Sequence, residues 1–237
     1  MLLFQISGTI GWVNASMTAR ERARAELTEE IKASARRQLA DAGAAQLSLR
    51  AVARDLGMVS SAIYRYFPSR DELLTALITD AYDAVGEALE RAVDDGDEPR
   101  ARWRACADAL RAWARANPHE YALIYGSPVP GYRAPDATIA AAARSAVVIA
   151  RIAAEATMDA GVDGPLGAEL ERQVRLISDI VAPGTSPRVM ARGLIAWTQL
   201  YGMVSFELFG QFANTLDPAD EFFAYAVERT ADLIGLP

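Results

Sequence analysis

The 237-residue chain has one cysteine, Cys106, and one histidine, His119. A single cysteine excludes a disulfide within the chain, and nothing about it points to an oxidising compartment. It reads as a small buried apolar residue. One cysteine and one histidine, 13 positions apart, do not make a Cys/His zinc site. A Ser–His–Asp triad would have to run through His119, and no nucleophile-elbow pattern surrounds it. Phosphate-loop and metal motifs are missing too. No catalytic residue, metal ligand or cofactor is therefore assigned. No run of about 18 consecutive apolar residues occurs, so no membrane span is expected. Strand signals are also lacking: there are no alternating runs and no Asn-Gly hairpins.

What is present favours helix. Hydrophobic residues make up 51% of the chain, enough for a sizeable core, and Ala and the aliphatics dominate them. The length suits one or two domains. Residues 1–16 carry no charge and no periodicity, and Gln5, Ser7, Gly8 and Gly11 interrupt what a secretory signal keeps unbroken. The charged helical pattern starts just after Met17. The expectation is that Met17 is the natural start and that 1–16 is a non-native or disordered extension. The net charge of −7 is uneven: +2 over 17–72, where ten basic residues meet eight acidic ones, and −9 over 73–237. A cationic head on an acidic body suits nucleic-acid binding, although +2 is a small excess.

Helix one reads as about 22–42, with Leu27, Ile31, Ala35 and Leu39 on one face and Gly43 as its stop. Ser48 caps helix two, which turns Leu49, Val52, Ala53 and Leu56 inward and stops at Gly57. Helix three is short, about 60–66, and Pro68 interrupts. Ser69 and Glu72 spell a capping box for a long fourth helix carrying Leu73, Leu77, Ile78, Ala81, Val85 and Leu89. Three later helices share one expected opening: Asn117-Pro118, Ser186-Pro187 and Asp217-Pro218 each set a capping side chain before a first-turn proline. Residues 126–135 read as a loop. Residues 136–160, 166–181, 187–209 and 218–234 read as helices. The fold class is all-α: a three-helix head over 17–72 and a larger helical body over 73–237, joined inside helix four.

Residues 48–74, SLRAVARDLGMVSSAIYRYFPSRDELL, have the form of a helix-turn-helix, two short helices around a Gly-containing turn. The second helix of such a unit needs one apolar side for docking and one polar side for base edges and phosphates. Ile63 and Phe67, at i and i+4, supply the first. Ser60, Ser61, Tyr64 and Arg65 supply the second, with hydroxyl, phenol and guanidinium groups. Tyr64, Tyr66 and Phe67 also read as core aromatics, and Arg50 and Arg54 as solvated helix charges.

Ala53-x-x-Leu56-Gly57, Ile63-Tyr64-x-Tyr66-Phe67 and Ser69-Arg70-x-x-Leu73-Leu74 together resemble the tetracycline-repressor (TetR) family of bacterial regulators. The close likeness covers about 50 residues near the N-terminus, and the rest agrees only in length and helical character. One departure is Val59, where the family often has Ser or Thr capping the recognition helix; the first hydroxyl here is Ser60. The resemblance implies a cytoplasmic, DNA-binding homodimer on a near-palindromic operator of double-stranded DNA, repressing until a small-molecule effector releases it. It places Arg50 where some members read a guanine. Ser48, Tyr64, Tyr66 and Arg70 fall where members hold phosphates. It also implies an effector pocket and a four-helix dimer interface in the body.

For the pocket, the aromatic residues Trp113, Tyr121 and Tyr125 are candidates, since they combine apolar area with polar handles; an ordinary helical core is the other reading of each. For the interface the last two helices are candidates. Gly193, Gly202 and Gly210 permit close approach, and Phe206, Leu208, Phe209, Phe222 and Phe223 exceed what one face can bury. The rival readings are an all-helical enzyme, which lacks a convergent titratable set, and a ligand- or partner-binding protein with a vestigial helix-turn-helix.

Overall fold

The structure, a computed structural model, describes residues 18–157 and 164–237. The expectations about 1–16 and Met17, and residues 158–160 of the expected 136–160 helix, lie outside the described residues.

The first helix, α1 (Ala19–Ala42), starts earlier than its apolar period suggests because Thr18 and Glu21 close a complete capping box. The Glu21 N–H donates to the Thr18 hydroxyl at 3.2 Å, and the Thr18 N–H donates to the Glu21 carboxylate at 2.8 Å. Next, α2 (Leu49–Asp55) is capped by the Ser48 hydroxyl, which accepts from the Ala51 N–H. Gly57, at φ +65°, takes the left-handed turn that lets the Met58 N–H close onto the Ala53 carbonyl at 2.8 Å. The recognition helix, α3 (Ser60–Ile63), ends sooner than expected and tightens into turns through Phe67. Its N-cap is Val59, which offers no side-chain bond, and Ser60 does not replace it. Ser69 caps α4 (Arg70–Ala92) by accepting from the Glu72 N–H at 3.1 Å, but the return arm of the box is not made.

These helices bury Ile31, Leu39, Leu49, Val52, Ile63 and Phe67 against Leu73, Leu74, Leu77 and Ile78 of α4. The far half of α4 gives Val85 and Leu89 to the body core. Each fully buried aliphatic side chain is worth about 1.5–3 kcal/mol, so α4 is anchored firmly at both ends.

The body continues with α5 (Pro99–Ala116), α6 (Pro118–Tyr125), α7 (Ile139–Ala154), α8 (Ala168–Val181), α9 (Pro187–Leu208) and α10 (Asp220–Ile234). Helix α4 packs on α5 and α7, α7 on α9, and α9 on both α8 and α10. Among the described residues, Asp136–Ala154 is long and apolar enough to cross a membrane by length and composition. Here it is a core helix: Ile149 and Ile152 are buried, and Arg144 reaches the carboxylates of Asp83 at 2.8 Å and Glu90 at 2.6 Å on α4.

Of the three expected Pro openings, only Ser186 caps as written, accepting from the Val189 N–H at 3.3 Å. The Asn117 amide instead donates back to the Trp113 carbonyl of α5 at 2.9 Å. Asp217-Pro218 is a cis peptide ahead of α10, which opens with the Phe223 N–H on the Ala219 carbonyl at 2.8 Å.

Long-range arginine contacts fasten the body. Arg111 of α5 holds Glu207 of α9 at 2.8 and 2.9 Å and Asp220 of α10 at 2.9 Å. Trp103 donates its indole N–H to the Val227 carbonyl at 3.0 Å and the Thr230 hydroxyl at 3.1 Å. Arg100 and Arg104 both bind Glu228. Cys106 is fully buried, and burial pushes its thiol up to about 12, so it is an inert core group.

Candidate nucleic-acid interface

The recognition helix presents two faces. Ile63 and Phe67 are buried in the head core, whereas Ser60, Ser61, Tyr64 and Arg65 are exposed together. On α2, Arg50 and Arg54 also face solvent. Among the described residues no carboxylate pairs with Arg50, Arg54 or Arg65, while Lys32, Arg36 and Arg37 all hold protein carboxylates. Cations without an internal carboxylate partner break no ion pair when they meet a phosphate or a base edge.

The remaining candidates are turned inward. Ser48 is half-buried and its hydroxyl serves the α2 cap. Tyr66 is half-buried under the Arg24 guanidinium, 5.6 Å from its ring centroid, and Arg24 also donates to the Arg65 carbonyl at 3.2 Å. Arg70 donates to the carbonyls of Ala44 at 2.8 Å, Leu47 at 3.1 Å and Ala45 at 3.3 Å, closing the turn after α1. Val59, which was not among the sequence candidates, stands 73% exposed at the start of α3. An exposed apolar group is chemically suited to a thymine methyl.

Behind this surface, α1 is tied to the body. Asp80 of α4 takes Lys32 at 2.8 Å and Arg36 at 2.6 Å, and Glu120 of α6 takes Arg36 at 2.9 Å. A cleft of about 410 Å³ lies between the end of α1 and α6 with its following loop, lined by Leu39, Ala44, His119, Leu123 and Val129 among others. Among the described residues no group of three or more His, Cys, Asp or Glu side chains could hold a metal ion.

Of the pocket candidates, the structure brings Tyr121 and Tyr125 together, with ring centroids 5.1 Å apart, and Tyr125 also meets Tyr82 and Tyr201. Tyr121 is wholly buried; its hydroxyl donates to the Tyr201 carbonyl at 3.1 Å and lies 2.8 Å from Ser205 Oγ. Burial pushes its phenol up to about 12. Trp113 packs half-buried against the same core, outside that ring cluster.

On the interface helices, Phe206, Phe209 and Phe222 are exposed, and Phe212 joins Phe206 to Phe222 edge-on at 5.7 and 5.6 Å. Gly202 faces open space, where an added Cβ would meet nothing within 4 Å. Phe223 is corrected: it is 3% exposed, pinned in the core under Arg111 at 4.6 Å, because α10 turns this residue inward. Gly193 faces Ala153 of the same chain at 3.0 Å and offers no open surface, whereas Gly210, exposed just beyond α9 at φ +75°, has nothing among the described residues within 4 Å of an added Cβ. Helix α8, not expected to contribute, exposes Leu176 and Ile180.

Comparison with known proteins agrees with both halves of this arrangement. Residues 31–77 match the sequence profile described as "Bacterial regulatory proteins, tetR family". Residues 103–230 match "Tetracyclin repressor-like, C-terminal domain". The HTH-type transcriptional regulator Rv1816 of Mycobacterium tuberculosis is 42% identical over 217 residues, covering 86% of this chain and 91% of the relative. Mb1846 of Mycobacterium bovis, also described as an HTH-type transcriptional regulator, matches to the same extent. The crystal structure of the protein SCO4313 superposes with a TM-score of 0.76 at 37% identity, covering 91% of this chain and all of that one. The chain belongs to the TetR family of DNA-binding, helix-turn-helix transcriptional regulators.

Proposed function

We propose that the protein is a homodimeric repressor, acting in the cytoplasm, that holds a near-palindromic operator until a small molecule bound in the body releases it. The carrying observation is the polar outer face of α3 and the turns that follow it, with Ser60, Ser61, Tyr64 and Arg65 exposed while Ile63 and Phe67 are docked. In this reading Ser60, Ser61, Val59 and Tyr64 meet base edges and phosphates, and Arg50 reads a guanine, a contact worth about 1–3 kcal/mol of discrimination. Ser48, Tyr66 and Arg70 brace that surface through the bonds just described and touch the phosphates beside it. Two-fold symmetry sets two copies of α3 in major grooves about 34–36 Å apart. The dimer centres on α9, where Ile195, Gln199, Gly202 and Phe206 share one exposed or half-exposed face, with Phe209 and Phe222 at its end. The effector works by binding the released head spacing more tightly than the DNA-bound one; equal affinity for both would shift nothing. Trp113, Tyr121 and Tyr125 belong to the body region that accepts it.

The test is selection of bound genomic fragments by the purified protein at a stated salt concentration. A near-palindromic enriched site, lost in an Arg50→Ala, Tyr64→Ala double variant that stays a folded dimer, supports the proposal. If nothing is enriched even at low salt, the helix-turn-helix is vestigial and the proposal fails.

A further inference from the structure

We propose that Arg20 and Arg24, on the opening turns of α1, make a second DNA contact beside the recognition helix, gripping phosphates of the duplex that α3 reads. The inference adds a surface to the operator reading and rests on it for where the DNA lies.

The first observation is a stretch of helix with nothing to pack on. From Ala19 to Glu26, eight residues, all of α1 is exposed, and Leu27 is the first side chain even half-buried. At 1.5 Å per residue, α1 runs about 12 Å before it meets the head core. The stretch is helical because Thr18 and Glu21 close their capping box, not because it buries anything. Arg24 fixes where it lies. The Arg24 guanidinium donates to the Arg65 carbonyl at 3.2 Å and sits over the Tyr66 ring, so α1 is fastened beside the turns that follow α3. Arg20, four positions earlier, is on the same side of α1, one turn or about 6 Å farther out. Arg20, Arg24 and Arg65 thus make one exposed cationic row next to Tyr64.

The second observation is what the row costs the free protein. Arg20 and Arg24 are like charges at i and i+4, a spacing at which they repel. Both also stand at the helix end whose dipole disfavours cations. Glu21, the one acid of the first turn, is taken up by Thr18. No carboxylate pairs with Arg20 or Arg24 among the described residues, whereas Arg36, Arg100, Arg111 and Arg144 each hold at least one. A phosphate laid against the row relieves the repulsion and accepts charge-assisted bonds from the guanidiniums. The anion is a DNA phosphate and not an acidic protein, because the row adjoins the residues that α3 and its following turns present to the duplex.

Arg20 is the position to substitute, since removing Arg24 would also free α1 from Arg65 and Tyr66. The full chain is compared with Arg20→Ala and Arg20→Lys. Arg20→Ala is expected to melt at or slightly above the parent temperature, because one repelling cation leaves the helix end. DNA binding is measured across a salt series, first on a random duplex and then on the selected operator. The slope of log K against log salt is expected to shrink by about 2 per dimer, ~0.9 for each lost phosphate contact, with affinity down about ten- to thirtyfold at ~0.15 M salt. Arg20→Lys keeps the charge and is expected to restore most of the slope. In ethylation interference, Arg20→Ala is expected to drop the same phosphate from each half-site and to leave the base contacts of α3 in place. An Arg20→Ala protein that matches the parent in slope and affinity overturns the proposal. A lysine variant as weak as the alanine one overturns it too, since Arg20 would then read groove edges and not hold a phosphate. The two readings fail separately. If the parent enriches no operator, the slope on the random duplex still decides on Arg20. If an operator is enriched and Arg20→Ala binds it unchanged, only the α1 contact falls.

Discussion

Arg50 and Arg70 are twenty positions apart in one motif, yet their surroundings assign them opposite work. Arg50 is exposed and holds no carboxylate among the described residues, whereas Arg70 gathers three carbonyls from the turn after α1. Truncating Arg70 removes three charge-assisted bonds, although the Ala44 carbonyl keeps the Leu47 N–H, so Arg70→Ala is expected to destabilise the fold by about 1–3 kcal/mol. Arg50→Ala is expected to stay within about 0.5 kcal/mol of the parent in stability while losing operator affinity. Urea melts and operator binding on both variants check this; an Arg70→Ala protein that melts like the parent means the carbonyl contacts do not form in solution. Glu228 gives a pH-dependent counterpart in the body. The Arg104 guanidinium, seconded by Arg100, holds its carboxyl down at about 2. A folded-state pKa below the unfolded one of about 4.3 adds stability that is full above that value and lost as pH falls through about 2. The groups are partly exposed, and screening keeps the contribution under about 1 kcal/mol. Glu228→Gln is thus expected to melt below the parent near pH ~7, with the difference closing as pH approaches ~2. A gap independent of pH would refute the ion-pair origin.

Helices α4 and α7 meet at Gly86, where an added Cβ would lie 2.7 Å from the Cβ of Arg144. Alanine improves helix propensity by about 1 kcal/mol at most, but overpacking costs about 1–3 kcal/mol. The clash is with a Cβ fixed to the α7 backbone, so the second effect wins: Gly86→Ala is expected to lower Tm and loosen Arg144 from Asp83 and Glu90. A raised Tm would mean that the helices stand farther apart. This contact was not legible in the sequence, because a glycine inside a helix does not say which distant residue it faces. The same limit explains the capping errors. Ser48 and Gly57 act on neighbours three or four positions away, and there the sequence sufficed. Asn117 was expected to serve its own helix, but α5 competes for it, and Glu120 of α6 goes to Arg36 of α1, 84 positions away. Thr18 and Glu21 were a readable capping box that the apolar period alone passed over. On the recognition helix, the split between Ile63 with Phe67 and the exposed polar set was legible from period and chemistry; the inward turn of Arg70 was not, since it depends on carbonyls 23 to 26 positions earlier.

Two recognition helices read an operator together only if the bodies associate, and α9 offers the surface for that. Ile195, Gln199, Gly202 and Phe206 repeat at i, i+4, i+7 and i+11, the spacing of one helical face, and Phe206 is 53% exposed although its ring is large and apolar. Among the described residues nothing lies within 4 Å of a Cβ added at Gly202, so that face is open to close approach by a helix of the proposed second copy. Leu176 and Ile180 of α8 and Phe222 and Tyr225 of α10 widen the patch on either side. Burying glutamate there would desolvate a charge with no counter-ion, so Phe206→Glu is expected to give a monomer with parental helical content by circular dichroism. Its operator affinity should fall by about 10²–10⁴-fold, because each half-site then binds without the effective concentration that the dimer supplies. Sedimentation and DNA binding on the same preparation read both effects, and Tyr64→Ala serves as the converse control: a dimer that loses DNA through its head alone. A Phe206→Glu protein that remains dimeric and binds its operator normally would move the interface off α9, leaving the exposed Ile180 of α8 as the next position to substitute.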